Sequence, residues 1–381
     1  MDHSAETSTF EDFENRPLKK AKNYESSVLD DPLTSPSISA SSMISDLQIN
    51  GDPLASPPST TNSTSSTVSE IMKEEKASAA PSPLSRSRSG SHRSSPPACS
   101  CHSPNLSSLT NSLLPSLADK STGLTTAVSW IRANLATPAT NVTLLLAGNE
   151  ILPSPDPNLI LSLLPAMRRL AQALKSEGFP SIRVSTPHYL GILAPSDGIP
   201  TNATFRAGYN TKLFPSMPQF HRETKPPFMV NPYPYFSYNP QTLNYTLFRP
   251  NARIYDPATK LNYTSMFEAQ MDAIYTAMVK LGYGDVEVAI GEAGWPTQAE
   301  ADQVGVGVKE AQDFNEGMLR VCSSGKGTPL MPNRTFETYL FSLFDENQKP
   351  GPVDERHFGL FNPDFTPVYD LRLLTDGKGS V

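Results

Sequence analysis

The stretch Val286-Glu-Val-Ala-Ile-Gly-Glu-Ala-Gly-Trp-Pro296 is a short apolar run that ends in a glycine and then a carboxylate. A run this short, apolar at most positions, reads as a strand covered on both faces, as strands of parallel sheets are. Asn141-Val-Thr-Leu-Leu-Leu-Ala-Gly-Asn-Glu-Ile151 has the same build, with Asn149 between its glycine and its carboxylate. Working outward from these two, further strands are expected at 181–190, 227–236 and 335–344, five in all. Helical segments fall between them. Residues 125–134 read as a helix. In the next helix Asp156 is placed to cap and Pro157 to open it, and an apolar stripe from Leu159 and Ile160 through Leu163, Met167, Leu170 and Leu174 runs to Gly178. Residues 212–224 and 310–322 are helical, and Ser265-Met-Phe-Glu268 is a capping box that opens another helix. Strand and helix in alternation imply parallel strands joined by right-handed crossovers, hence an α/β fold.

Chemistry in such folds gathers at the C-terminal ends of the strands. Glu150 and Glu292 both stand there. A carboxylate at the mouth of a buried strand is costly unless it is paired or functional. Either one alone fits a structural salt bridge as well as catalysis. Two of them, on strands three apart in order, point to a pair working as acid/base and nucleophile, the requirement of a retaining glycosidase.

Four blocks carry a resemblance. Asn231-Pro-Tyr-Pro-Tyr-Phe236, Gly291-Glu-Ala-Gly-Trp-Pro-Thr297, Phe344-Asp-Glu-Asn-Gln-Lys349 with the Pro-Gly after it, and His357-Phe-Gly-Leu-Phe361 stand in the order and spacing of the signature blocks of glycoside hydrolase family 17. These are the plant β-1,3-glucanases. The resemblance covers roughly residues 111–370. It implies a (β/α)8 barrel, hydrolysis of internal β-1,3 linkages with retention, Glu150 as acid/base and Glu292 as nucleophile. It also implies a sugar contact for Asn149, a place for Tyr233 near the nucleophile, and a charged pair, Glu346 and Lys349, in the cleft. For Trp295 two readings stand: a platform for a glucose ring, or packing of the barrel rim. Tyr235 and Phe236 read as core or rim, and His357 as a structural loop residue. The implied partner is β-1,3-glucan, with no cofactor and no metal, and the protein is expected to be a monomer.

The resemblance leaves the first third of the family's barrel without a counterpart. Residues 1–112 are rich in Ser, Thr and Pro and lack a hydrophobic period, so they are expected as a disordered arm. Residues 113–381 would then form an incomplete barrel, strands four to eight, with the strand at 141–151 lacking a neighbour on one side. Basic clusters at 17–22 and 86–95 and recurrent Ser-Pro pairs, Ser35 and Ser56 among them, read as a solvated tail rather than a phosphorylated import arm. A non-enzymatic product, binding glucan through the remaining cleft or acting through its arm, is the rival reading.

Composition narrows the classes. A net charge of -7 of mixed sign gives no bias toward nucleic acid. Three cysteines, Cys99, Cys101 and Cys322, exclude a disulfide scaffold and offer no metal spacing, and Cys99 and Cys101 are expected to stay reduced in a loop. No apolar run is long enough to span a membrane and no apolar leader opens the chain. The catalytic region, 113–381, holds five sequons, at Asn141, Asn202, Asn244, Asn262 and Asn333, which fit a family that passes through the secretory route. The family implies the cell wall; the missing leader leaves an intracellular location open.

Overall fold

A computed structural model of the chain describes residues 106–135, 142–209 and 213–370. Most of the expected arm, Asn141 and the Cys99/Cys101 pair lie outside the described residues.

The parallel strands run in one order across two ladders. Strand β1 (Leu106–Leu109) pairs with β2 (Leu144–Ala147), and β2 with β3 (Arg183–Ser185). Strand β4 (Pro187–Tyr189) pairs with β5 (Phe228–Asn231), β5 with β8 (Val288–Ala293), and β8 with β9 (Thr338–Leu340). Only Thr186 separates β3 from β4, and Pro187 after it has no N–H to give to a ladder, so one extended segment is shared by both sheets. Because every pairing in this order is parallel, all the strands end on the same side.

The five expected strands are thus present at 144–147, 183–189, 228–231, 288–293 and 338–340. A sixth, β1, was expected to be disordered chain. It overturns the boundary at residue 112 and supplies the neighbour that β2 was expected to lack. Leu144 and Leu145 are fully buried and Leu146 nearly so, where partial exposure was expected. Leu106-Ser-Ser-Leu109 has too few apolar residues to announce a strand; it becomes one by ladder pairing with β2.

The crossovers supply the outer layer. Helix α1 (Leu114–Ala118) and α2 (Gly123–Leu135) follow β1 and pack on α3 (Pro157–Ser176) through Leu114, Leu117, Ile131, Leu163, Met167 and Leu170, all buried. Asp156 caps α3 as expected, Oδ1 accepting from Asn158 N at 2.9 Å. After α3, Gly178 takes φ 86°, and Phe179 N donates to Leu174 O at 2.8 Å. Helix α4 (Ser216–Thr224) precedes β5. The short α5 (Leu243–Thr246) and an antiparallel hairpin, β6 (Ile254–Asp256) with β7 (Leu261–Tyr263), were not expected. The hairpin covers a cluster of Tyr245, Tyr263, Met266 and Ala269. Helix α6 (Met266–Lys280) opens on the expected capping box, with Ser265 Oγ accepting from Glu268 N at 3.2 Å and Glu268 Oε2 reaching back to Thr264 N, also at 3.2 Å. Helix α7 (Val308–Ser323) precedes β9. Between the strands, Leu144, Leu146, Met229 and Ala289 form a core against Tyr339.

Candidate active site

The ends of β2, β5 and β8 bring their polar residues together. After β2 the backbone turns sharply: Gly148 has φ 68° and Glu150 has φ 51°, a region that non-glycine residues rarely occupy. The turn is held from two sides. Asn111, just beyond β1, accepts from Asn149 N at 3.0 Å and donates from Nδ2 to Asn149 O at 3.3 Å, while Glu150 N donates to Pro187 O at 3.1 Å. The glycine is required here, because a Cβ on Gly148 would lie 2.8 Å from Asn111 Oδ1. Gly291, which precedes the other carboxylate, is required for a different reason: its Cβ would fall 2.7 Å from Asn231 Oδ1 and 2.8 Å from Pro187. Gly148, two residues before Glu150, and Gly291, next to Glu292, therefore let neighbouring chain close on the carboxylates.

A single chain of hydrogen bonds joins the two acids. Asn149 Nδ2 donates to Glu292 Oε1 at 2.8 Å. Asn231, the last residue of β5, donates from Nδ2 to Asn149 Oδ1 at 3.1 Å and to Glu150 Oε1 at 2.9 Å. Tyr233 OH donates to Glu292 Oε2 at 3.0 Å. The Tyr233 ring is set by Phe236, Phe341 and Phe358 around it. Across the cleft, Lys349 Nζ pairs with Glu346 at 3.1 Å and Glu355 at 3.3 Å and lies over the Phe341 ring.

These surroundings move both acids upward. Burial raises Glu150, the Asn231 hydrogen bond opposes it, and the charge of Glu355 adds to the rise. Burial and then the charge of Glu150 push Glu292 up to about 7, against the hydrogen bonds from Tyr233 and Asn149 and the charge of Lys349. Burial and the carboxylates hold the Tyr233 phenol protonated, so it serves as a donor. The set can present one carboxylic acid and one carboxylate on facing strands, with three neutral donors fixing their orientation. Among the described residues no cluster of His, Cys, Asp and Glu is arranged to hold a metal ion, and no helix is long and apolar enough to cross a membrane.

Of the residues singled out from sequence, Glu150, Glu292, Asn149 and Tyr233 form this network, and Glu346 and Lys349 form the charged pair beside it. Trp295 does not belong. It is fully buried, its Nε1 donates to Gly305 O at 3.1 Å, and Tyr238, Tyr235 and Phe314 surround it at 5.0–5.4 Å. A ring sealed on all sides offers no face to a sugar, so the packing alternative holds and the substrate-binding assignment is withdrawn. Tyr235 is buried as expected, its OH donating to Asp354 at 2.7 Å, whereas Phe236 is 41% exposed at the cleft. His357 is a loop residue tied to Asp345 at 2.8 Å. Asn231, Asn111 and Glu355 were missed. Asn231 was legible, since it too ends an apolar run; Glu355 lies in a single 3-10 turn, Asp354–Arg356, which gives no such signal.

The sequence profile of "Glycosyl hydrolases family 17" matches residues 102–373. The chain belongs to glycosyl hydrolase family 17. A Triticum aestivum glucan endo-1,3-beta-glucosidase is 82% identical over 272 residues, covering 71% of this chain and 59% of the wheat protein. Glucan endo-1,3-beta-glucosidase 7 of Arabidopsis thaliana is 42% identical over 277 residues, 71% of this chain and 54% of that protein. The chain thus spans little more than half the length of these curated relatives. Among solved structures, CJP38, a beta-1,3-glucanase and allergen of Cryptomeria japonica pollen, is similar at 34% identity with a TM-score of 0.65, covering 70% of this chain and 83% of that one. A plant beta-glucan endohydrolase is similar at 30% identity and TM-score 0.61, with the same coverage. These family 17 structures share the α/β fold described above.

Proposed function

We propose that this chain carries the hydrolytic site of a β-1,3-glucan endohydrolase that retains configuration at the cleaved centre. The observation that carries the reading is the bonded path Glu150–Asn231–Asn149–Glu292, which sets two raised carboxyl groups from separate strand ends against one another. Glu292 attacks the anomeric carbon while Glu150 protonates the departing glycosidic oxygen; Glu150, now a base, takes a proton from water as the water displaces Glu292. The linkage is taken from the relatives' names, which the residues alone do not specify. The described strands are taken as six consecutive members, third to eighth, of the eight-stranded barrel, with β1 and β9 as the ends that further strands would join. Passage through the secretory route is part of the reading: Asn202, Asn244, Asn262 and Asn333 are all exposed.

The test is release of reducing ends from a linear β-1,3-glucan by the full chain and by Glu292→Ala, with the anomer of the first product followed by NMR. The expected result is a loss of at least about a thousandfold in the variant, with β-product formed first by the unaltered chain. Equal activity in both proteins, or an α-product, would sink the assignment. A second reading, a catalytically silent glucan-binding protein, is separated from the first by the same assay. Saturable glucan binding with no hydrolysis by the unaltered chain would decide for it.

A further inference from the structure

Asn231 is held in one orientation and at a cost to stability. Its side chain is buried, both Nδ2 hydrogens are used, on Glu150 Oε1 and Asn149 Oδ1, and its Oδ1 has no hydrogen-bond partner. Turning the amide over would set Oδ1 against two acceptor oxygens and leave the NH2 against Gly291. The orphan oxygen is therefore the price of delivering both donors to the site, and a buried acceptor left unpaired in a native fold calls for a functional explanation.

We propose that Asn231 is a positioning residue for proton transfer, confining the Glu150 proton to Oε2 by donating to Oε1. The inference rests on the reading of Glu150 as the acid. Of the two oxygens of a carboxylic acid, the carbonyl oxygen is the better acceptor, so a fixed N–H on Oε1 leaves the O–H on Oε2. As the glycosidic C–O bond breaks, the Oε2 proton passes to the departing oxygen and the electron pair left on Glu150 is shared with Oε1, where Asn231 already donates. The bond is therefore stronger in the ionised product of the step than in its acid form, which is the condition for lowering a barrel-bound barrier rather than merely binding. In the second half of the reaction the same oxygen receives the proton from water. Asn231 also fixes Asn149, so the acid and the donor to Glu292 keep a constant relation.

The experiment compares Asn231→Ala, Asn231→Ser and Glu150→Ala in the full chain, each checked for a cooperative thermal melt. Two substrates are used: the β-1,3-glucan, and a 2,4-dinitrophenyl β-1,3-glucobioside whose leaving group departs without a proton. For Asn231→Ala, kcat on the glucan should fall by about 10- to 100-fold with KM little changed, whereas formation of the glycosyl-enzyme from the aryl substrate should fall less than about 3-fold. In a 13C-labelled chain, the Glu150 carboxyl should titrate at higher pH in Asn231→Ala than in the parent, because a donor to the charged form has been removed. Asn231→Ser, which keeps one donor, should fall between. Equal losses on both substrates, or an unmoved Glu150 titration, would overturn the proposal and leave Asn231 a packing residue. Full glucan activity in Glu150→Ala would instead overturn the assignment of the acid. The titration reads the proposal even in a chain that turns over neither substrate.

Discussion

Lys349 bears on both acids at once. Its charge lowers Glu292, and its contact with Glu355 balances the carboxylate that raises Glu150. Replacing it by methionine removes the positive charge and frees the negative one, so both acids should titrate higher. The kcat/KM profile of Lys349→Met is therefore expected to move to higher pH on both limbs, a shift read directly from rates across pH 4–8; a profile moved downward would contradict the sign. Legibility at this scale followed burial. Glu150 and Glu292 could be read because a charge at the end of an apolar run is conspicuous. Trp295 could not, because the same Gly-Trp-Pro sequence serves equally for a rim platform or a sealed core, and only the packed rings around it distinguish the two.

Among the elements, β1 and the residue after it have consequences out of proportion to their length. Asn111 makes two hydrogen bonds to the peptide of Asn149, and that peptide carries the left-handed turn of the acid. Asn111→Ala leaves a part-buried N–H without its partner, at a cost of about 1–3 kcal/mol, and should lower kcat more than it raises KM. Urea melts and initial rates measure the two effects. A chain begun at residue 113 would lose β1 and Asn111 together and expose one side of β2, and it should fail to give the cooperative melt expected of a chain begun at residue 100. The capping box is a milder case: Ser265→Ala, at a fully buried cap, should cost about 1 kcal/mol. Caps and long amphipathic helices were legible because their signals are local. β1 and the β6–β7 hairpin, each strand four residues or shorter, are made by pairing and covering, which no local window contains.

For the whole molecule, acid is the stress to which the fold is built to respond. His188 and His221 are buried against Phe228, and burial depresses them from 6.5 to about 3 and about 4. Both are neutral in the folded state and would take up protons on unfolding, so their stabilisation is complete above pH 6.5 and is lost as pH falls toward 4. Each contributes about 1.4 kcal/mol per pH unit across that window. Asp272, on α6, acts in the opposite sense: burial raises it to about 6, above its unfolded value, so its contribution grows as pH falls. Glu292, pushed up to about 7, and Glu150, raised by burial, act in the same sense as Asp272, so the histidines oppose three carboxyl groups. Replacing both histidines by leucine should therefore make the change in thermal midpoint from pH 6.5 to 4 more favourable than in the parent chain; an unchanged pH dependence in the double variant would show that other groups set it.

Trp295 and Trp130 are the two tryptophans of the chain, and they sit in different surroundings. Trp130 lies on α2 partly open to water, while Trp295 is sealed within about one ring's breadth of Tyr235 and Tyr238. Excited tyrosine at that range passes its energy to indole, and a shielded indole emits to the blue of a wetted one and resists iodide. The floor beneath the cleft thus carries its own lamp: in a Trp130→Phe chain, emission reports on the packing under Tyr233 and the Asp354–Glu355 loop, with no label added and no substrate turned over.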